Sequence, residues 1–308
     1  MNSQIARSRV VVGVDGSDGA RAALRYAFLA AARRGAALDV VVAYPAGIPW
    51  RWNPAIDAPD VESVRADLGA RADTFGAEVR RTTPGVEDVP VSILTAPGAA
   101  ARVLVDSAEG ADLLVVGSRG RGAVRSAILG SVALHVIGDA PCPVVVVHQG
   151  AYDVAAEGPV VVGLDDSADA PDVLLAAFGE AARLVAEVRT VTAYEAGDDW
   201  GEVNSTGAPS AAHLREHVQR RIDEIVEQAR KDAAAAGTPT VHTELVEGSA
   251  YDVLPERAQG AQLLVVGRRG HSAVHRLVLG SVALHAVART ACPVMVVHPV
   301  PRPAPSAG

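Results

Sequence analysis

The chain consists of one unit of about 150 residues that occurs twice. The segment from Gly117 to Ser131 (GSRGRGAVRSAILGS) recurs from Gly267 to Ser281 (GRRGHSAVHRLVLGS). The same offset relates further pairs of identical residues: Gly13 and Gly163, Asp15 and Asp165, Ala43 and Ala193, His135 and His285, and Cys142 and Cys292. A chain of 308 residues is long enough for two domains that each bury a core. We therefore predict tandem domains at residues 1–150 and 151–308.

Within each unit, short apolar runs alternate with helical patterns. In the first unit these patterns predict strands at residues 9–14, 38–44, 89–94, 113–116 and 144–147, and helices at 18–34, 61–81, 99–109 and from 131 onward. The second unit repeats this order and has a long helix near residues 211–236. Near-continuous apolar strands require helices on both faces of a parallel sheet. The predicted fold class is α/β, with two tandem doubly wound parallel sheets of five strands, a Rossmann-like arrangement.

The composition predicts a cytoplasmic protein that has neither nucleic acid nor membrane as a partner. The 36 acidic residues outnumber the 28 basic ones and give a formal net charge of −8, which disfavours binding to polyanions. The longest apolar runs, such as Val144 to Val147, are far shorter than the roughly 20 residues that span a bilayer. The apolar run near the N-terminus is also too short for a signal peptide.

Both copies of the repeated segment have the spacing Gly-x2-Gly-x9-Gly-Ser and follow an apolar run. Glycines suit places where a backbone approaches a phosphate or takes a positive φ, although many glycines serve only a turn. A helix that begins at Ser131 would offer N–H groups and the positive end of its dipole to an anion. The loops also carry cationic or titratable side chains, which are either solvated or in contact with phosphate: Arg119, Arg121, Arg125, Arg269, His271 and His275.

Asp15 and Asp165 follow the first predicted strand of each unit. Ligands of open α/β sheets bind beyond the carboxyl ends of the strands, where the strand order reverses. That rule places each aspartate beside the glycine-rich loop of its own unit, where it can accept hydrogen bonds from a ribose or a base. The alternative interpretation is that the aspartates only cap or turn the chain.

The two cysteines do not form a metal-binding pattern. Cys142 and Cys292 occupy equivalent positions just before apolar runs, and neither copy has the paired ligands of a zinc cluster. We predict two buried thiols. We predict no metal site and no catalytic residue.

On these motifs the chain resembles the universal stress protein family, in its tandem, ATP-binding form. The family pattern G-x2-G-x9-G-[ST] is present in both copies, and the segments VVVGVDGS and VVVGLDDS resemble the family's first strand and acidic turn. The resemblance implies one nucleotide site in each unit. In the first unit its residues would be Gly13, Val14, Asp15, Ala43, Val116, Gly117, Arg119, Gly120, Arg121, Gly130, Ser131 and Val132. In the second they would be Gly163, Leu164, Asp165, Ala193, Val266, Gly267, Arg269, Gly270, His271, Gly280, Ser281 and Val282.

The resemblance further implies a stress or dormancy regulator that forms a homodimer and acts on a regulatory protein partner. Its ligand would be ATP, with or without Mg²⁺, or another adenine nucleotide, used as a conformational ligand rather than as a substrate. A Walker loop needs Gly-Lys-Ser/Thr, whereas the single lysine, Lys231, lies in an alanine-rich segment. We therefore predict that the protein is not an enzyme. The alternatives are a slow ATPase and a partner-binding scaffold with empty sites.

Overall fold

The computed structural model describes residues 8–45, 61–120, 129–150, 157–195, 211–233, 238–268 and 279–298. The contacts between residues divide the chain into two units, Met1–Asp153 and Val154–Gly308. Both units have the same order of strands and helices, as the internal repeat predicts.

The first unit alternates strands with helices. Its elements are β1 (Arg9–Gly13), α1 (Asp18–Arg34), β2 (Ala37–Tyr44), α2 (Val61–Arg81), β3 (Val91–Pro97), α3 (Ala100–Ser107), β4 (Leu113–Gly117), α4 (Ser131–Asp139) and β5 (Val144–Val147). Every strand pair is parallel, and the strand order is β3-β2-β1-β4-β5. Because the order reverses between β1 and β4, the sheet is doubly wound, which confirms the predicted fold class.

The second unit has the same topology. Its elements are β6 (Val160–Gly163), α5 (Ala170–Leu184), β7 (Val188–Tyr194), α6 (Ala211–Ala233), β8 (Val241–Glu247), α7 (Ala250–Arg257), β9 (Leu263–Gly267), α8 (Ser281–Arg289) and β10 (Val294–Val297). The parallel strands follow the order β8-β7-β6-β9-β10. In this unit α5 contacts α6 and α7 contacts α8; in the first unit α1 contacts α2 and α3 contacts α4. Each sheet is thus covered by two pairs of helices.

The central strands form the cores. The side chains of Val10, Val11 and Val12 in β1 and of Leu114 and Val115 in β4 have no exposed surface. Strands that are buried on both faces read as continuous apolar runs, because alternation appears only where one face meets water. The strand segments visible in the sequence are therefore the buried centre of each sheet.

Local signals fix the ends of α1 as the sequence predicts. The Ser17 side chain accepts a hydrogen bond from the N–H of Ala20 at 3.1 Å, which satisfies one of the free donors of the first turn. The helix ends at Gly35, whose φ of 59° lies in the left-handed region that glycine adopts without strain. The start of α1, which faces the carboxyl end of β1, is therefore well defined.

The third strand lies farther along the chain than the sequence predicts. We expected it at residues 89–94, but β3 covers Val91–Pro97. Val89 instead donates its N–H to the carbonyl of Val86 in a turn, and β3 then pairs with β2 as far as Pro97 opposite Tyr44. Pairing with the neighbouring strand, which a single segment of sequence does not reveal, sets these bounds. Among the described residues, no helix is long and apolar enough to cross a membrane.

Candidate functional site

The carboxyl ends of β1 and β4 bring Asp15 and the glycine-rich loop together in the first unit. The two strands are direct neighbours, and Asp15 follows β1 by two residues. A Cβ atom built on Gly120 would overlap the Oδ2 atom of Asp15. Two motifs that are more than a hundred residues apart in the sequence thus meet at the switch point of the sheet, where the topology predicts a ligand site.

The side chains of Asp15 and Asp165 each stabilise a turn by accepting a hydrogen bond from a backbone N–H two residues farther along the chain. Asp15 Oδ1 accepts a hydrogen bond from the Ser17 N–H at 2.9 Å, and Asp165 Oδ1 accepts one from the Ser167 N–H at 3.1 Å. These contacts agree with the structural interpretation of the two residues. They leave the ligand interpretation open, because a carboxylate accepts several hydrogen bonds.

The described glycines of the first loop, Gly117, Gly120 and Gly130, lie close to protein atoms, and none of these three has a positive φ. A Cβ on Gly117 would lie 2.8 Å from the carbonyl carbon and oxygen of Gly19 in α1, and one on Gly130 would lie 3.3 Å from the Ser118 carbonyl oxygen. Of the two reasons that the sequence offered for Gly117, Gly120 and Gly130, a positive φ therefore does not apply, and close approach to a phosphate stays a prediction. Close packing of β4 against α1 accounts for Gly117 without a ligand.

One backbone hydrogen bond joins the two ends of each glycine-rich loop. The Gly130 N–H donates to the Ser118 carbonyl at 2.7 Å, and the Gly280 N–H donates to the Arg268 carbonyl at 2.8 Å. Gly130 and Gly280 then form the N-caps of α4 and α8 without a side-chain hydrogen bond to the first turn. The first-turn N–H groups of both helices, next to Ser131 and Ser281, therefore suit an anion.

The second unit contains a cavity of about 810 Å³ at this place. A volume of this size is within the usual range for small-molecule sites. Its walls include all nine described residues of the second predicted site: Gly163, Leu164, Asp165, Ala193, Val266, Gly267, Gly280, Ser281 and Val282. The other three predicted residues, Arg269, Gly270 and His271, lie outside the described residues.

In the first unit the predicted wall residues lie at the same strand ends and, for Val132, in the first turn of α4. Val14 and Val116 are buried, whereas Ala43 and Val132 are half-buried. Gly13 packs under α3, since a Cβ there would lie 2.8 Å from the Cδ1 atom of Leu104. Arg119 and Ser131 are exposed. Arg121 lies outside the described residues, as do Arg125 and His275, for which the sequence left two interpretations open.

Among the residues at the second site that were not predicted from the sequence are three polar side chains of α6 and α7. His217 and Arg221 of α6 line the cavity. The Tyr251 hydroxyl lies 2.7 Å from Ser281 Oγ, and its ring packs edge-on against His285 with centroids 5.2 Å apart. The first unit has Asp67, Arg71 and Ala101 at the equivalent positions. Alignment of the two copies reveals these differences, but their meaning depends on the packing of α6 and α7.

Both cysteines are free and buried. Burial raises the pKa of the Cys142 thiol, and that of the Cys292 thiol, to about 12 in each case. Thiols with such pKa values are inert at neutral pH. In the described part of the chain, no group of three or more His, Cys, Asp or Glu side chains is arranged to hold a metal ion.

Comparison with known proteins agrees with the fold. The sequence profile of the universal stress protein family matches residues 6–148 and again residues 158–298. A universal stress protein of Mycolicibacterium smegmatis is 31% identical over 94% of this chain and 97% of its own length. One from Mycobacterium tuberculosis is 28% identical over 92% of this chain and 93% of its own length. The crystal structure of a universal stress protein from Archaeoglobus fulgidus superposes with a TM-score of 0.63 at 19% identity, covering 95% of this chain and 98% of that one.

Proposed function

The chain belongs to the universal stress protein family, whose profile it matches twice, and we propose that each of its two units binds one molecule of ATP or another adenine nucleotide. The nucleotide acts as a conformational ligand of a stress-response regulator. A ligand has this effect when it binds one of two conformations more tightly than the other. A homodimer and a regulatory protein partner stay predictions.

The observation that supports the proposal most strongly is the cavity of the second unit. It combines three kinds of surface: apolar walls at Leu164, Val191 and Val266, a carboxylate at Asp165, and the N-terminus of α8 at Ser281. Apolar walls suit a flat base, a carboxylate accepts hydrogen bonds from ribose hydroxyls, and helix N–H groups suit phosphate. An adenine nucleotide carries these three groups in one molecule.

The composition of the two glycine-rich loops favours binding over hydrolysis. Hydrolysis requires a positioned water and charge stabilisation that grows on the γ-phosphate in the transition state. Neither loop sequence, from Gly117 to Ser131 or from Gly267 to Ser281, contains a carboxylate or a lysine. We expect turnover well below ~1 s⁻¹, the low end of typical enzymes.

Identification of the small molecules that copurify with the protein tests the proposal. Purified protein is denatured, and the released small molecules are identified by mass spectrometry; phosphate release from added ATP is measured in parallel. We expect an adenine nucleotide and negligible phosphate release. Rapid phosphate release that disappears in the Asp15→Ala/Asp165→Ala variant would favour the ATPase alternative. No released nucleotide, together with no binding of added nucleotide, would favour the scaffold.

Asparagine substitutions distinguish the two roles of the aspartates. In Asp15→Asn and Asp165→Asn the side-chain oxygen can still accept the serine N–H, so we expect the free energy of unfolding to change by less than about 0.5 kcal/mol. The bond to a ribose hydroxyl loses its charge assistance, so nucleotide affinity should fall about three- to tenfold. Unchanged affinity in both variants would show that the aspartates are turn residues only.

A further inference from the structure

Helix α6 covers the cavity of the second unit with both apolar and basic side chains. Leu214, Val218 and Ile222 line the cavity at intervals of four residues. His217 and Arg221 line it as well and are also four residues apart. Residues with this spacing are neighbours on one face of a helix. We call His217 and Arg221 the α6 basic pair.

The α6 basic pair is available to a ligand. Arg221 Nη1 lies 3.0 Å from Glu224 Oε2, with the two side chains 53% and 59% exposed. An ion pair as exposed as this contributes little stability, so Arg221 can exchange it for a ligand. Glu224 is not part of the cavity wall, whereas the carboxylates of Asp165 and Asp166 are. Asp165 already accepts the N–H of Ser167.

The first unit carries a different pair at the same two positions of α2. Asp67 corresponds to His217 and Arg71 to Arg221, and Arg71 Nε lies 3.0 Å from Asp67 Oδ2. There the carboxylate partner of the arginine occupies the position of His217, whereas the carboxylate partner of Arg221 is Glu224, outside the cavity wall. In the second unit the side chain at this position is an imidazole, which donates a hydrogen bond and carries a positive charge once protonated. The two helices therefore present different charges at equivalent places.

We propose that the α6 basic pair binds the phosphate groups of a ligand in the second cavity, so that the second unit prefers a polyphosphate more strongly than the first. This proposal deepens the proposed function and rests on it for the identity of the base and sugar. The phosphates would lie between the first turn of α8 and the α6 basic pair, since Gly280, Ser281 and both basic residues line one cavity. Arginine and histidine side chains make charge-assisted hydrogen bonds to phosphate oxygens.

Matched variants in the two units test this assignment. Arg221→Gln removes the positive charge of the α6 basic pair, and Arg71→Gln is the matched control in α2. Both positions are exposed, and glutamine is a good helix former, so we expect both variants to fold. Binding of adenosine, ATP and inorganic tripolyphosphate is measured by titration calorimetry on the full chain, with thermal unfolding as the check on folding. We expect Arg221→Gln to weaken one ATP-binding step and tripolyphosphate binding by about three- to tenfold. Adenosine binding should stay within about twofold, as should all three ligands in Arg71→Gln.

Exchange of the histidine provides a second, independent readout. His217→Asp gives the second unit the pair that the first unit has, and should weaken ATP and tripolyphosphate binding at least as much as Arg221→Gln. Asp67→His is the reciprocal variant and should strengthen ATP binding in the first unit. Equal losses for ATP and adenosine in Arg221→Gln and His217→Asp, or no loss for ATP, would overturn the assignment.

The probes separate failure of this assignment from failure of the proposed function. If tripolyphosphate binds in an Arg221-dependent way but neither ATP nor adenosine binds, the basic pair is a polyphosphate site and the proposed nucleotide function is wrong. If ATP binds at both sites regardless of Arg221 and His217, the nucleotide function holds and the assignment of the basic pair is wrong. If none of the three ligands binds, both are wrong.

Discussion

Gly117 and Gly120 belong to one loop motif but have different neighbours. A Cβ on Gly117 would meet the backbone of Gly19 and Ala20 at the start of α1, whereas one on Gly120 would meet only the carboxylate of Asp15. Backbone atoms in a packed interior cannot move aside cheaply, but an exposed side chain can rotate away. The first glycine is therefore needed for packing and the second for the position of Asp15.

Alanine substitutions should separate these two roles. We expect Gly117→Ala to lower the free energy of unfolding by about 1–3 kcal/mol, because β4 and α1 must move apart. Gly120→Ala should cost less than about 1 kcal/mol. It should nevertheless weaken nucleotide binding in the first unit, because it displaces the Asp15 carboxylate. Urea unfolding and titration calorimetry measure the two effects; wild-type stability in Gly117→Ala would contradict the packing account.

The buried thiols make stability depend on pH in alkaline solution. The pKa of Cys142 and that of Cys292 are raised to about 12 in the folded protein, against about 8.5 in an unfolded chain. Above about pH 8.5 each thiol loses its proton in the unfolded chain but keeps it in the folded protein. The contribution of the thiols to the free energy of unfolding is therefore complete below about pH 8.5 and is lost as the pH rises toward 12. Between these two pH values, urea unfolding should show that each thiol costs the wild type about 1.4 kcal/mol of unfolding free energy per pH unit, a loss that the Cys142→Ala/Cys292→Ala variant lacks. Parallel pH profiles would show that the thiols are not protected.

At the scale of elements, the ends of α1 and α5 show how the two copies have diverged. The α1 C-cap is Gly35 with a φ of 59°, and the equivalent α5 C-cap is Val185 with a φ of 53°. Val185 is 94% exposed, so it gains nothing from burial. A β-branched residue in the left-handed region is strained, because its Cβ approaches the backbone too closely.

Glycine at this C-cap should stabilise the second unit. We expect Val185→Gly to raise the free energy of unfolding by about 1 kcal/mol, the strain relieved being larger than the added entropy of the unfolded chain. Gly35→Val is the reciprocal variant and should be destabilising by a similar or larger amount. Thermal and urea unfolding of both variants test the account. A stability loss in Val185→Gly would contradict it.

The sequence predicts the elements well where one segment determines its own structure. Ser17 and Gly35 mark the ends of α1, and the apolar runs mark the buried strands β1, β4 and β5. It predicts β3 less well, because pairing with β2 sets the bounds of that strand. Asp15 and the loop glycines are predictable as a group, since topology brings the strand ends together. The packing of Gly117 on α1 and the place of His217 and Tyr251 at the second site depend on tertiary contacts between distant segments.

At the scale of the whole molecule, duplication has kept the fold of the unit and changed the side chains around the crevice. In the described parts of the two units, five parallel strands and four helices recur in the same order, and so do the hydrogen bonds that close the two loops, from Gly130 to Ser118 and from Gly280 to Arg268. Two of the differences lie on α6 and α7: His217 and Tyr251 stand where the first unit has Asp67 and Ala101. Two copies of one scaffold can thus hold related ligands with different affinities.

Titration calorimetry of nucleotide-free protein with ATP tests the central claim most directly. Both units have the aspartate, the glycine-rich loop and the uncapped helix N-terminus, so we expect a stoichiometry close to two ATP molecules per chain. We also expect Asp15→Asn to weaken one of the two binding steps and Asp165→Asn to weaken the other. A stoichiometry of zero for folded protein from which bound nucleotide has been removed would contradict the claim.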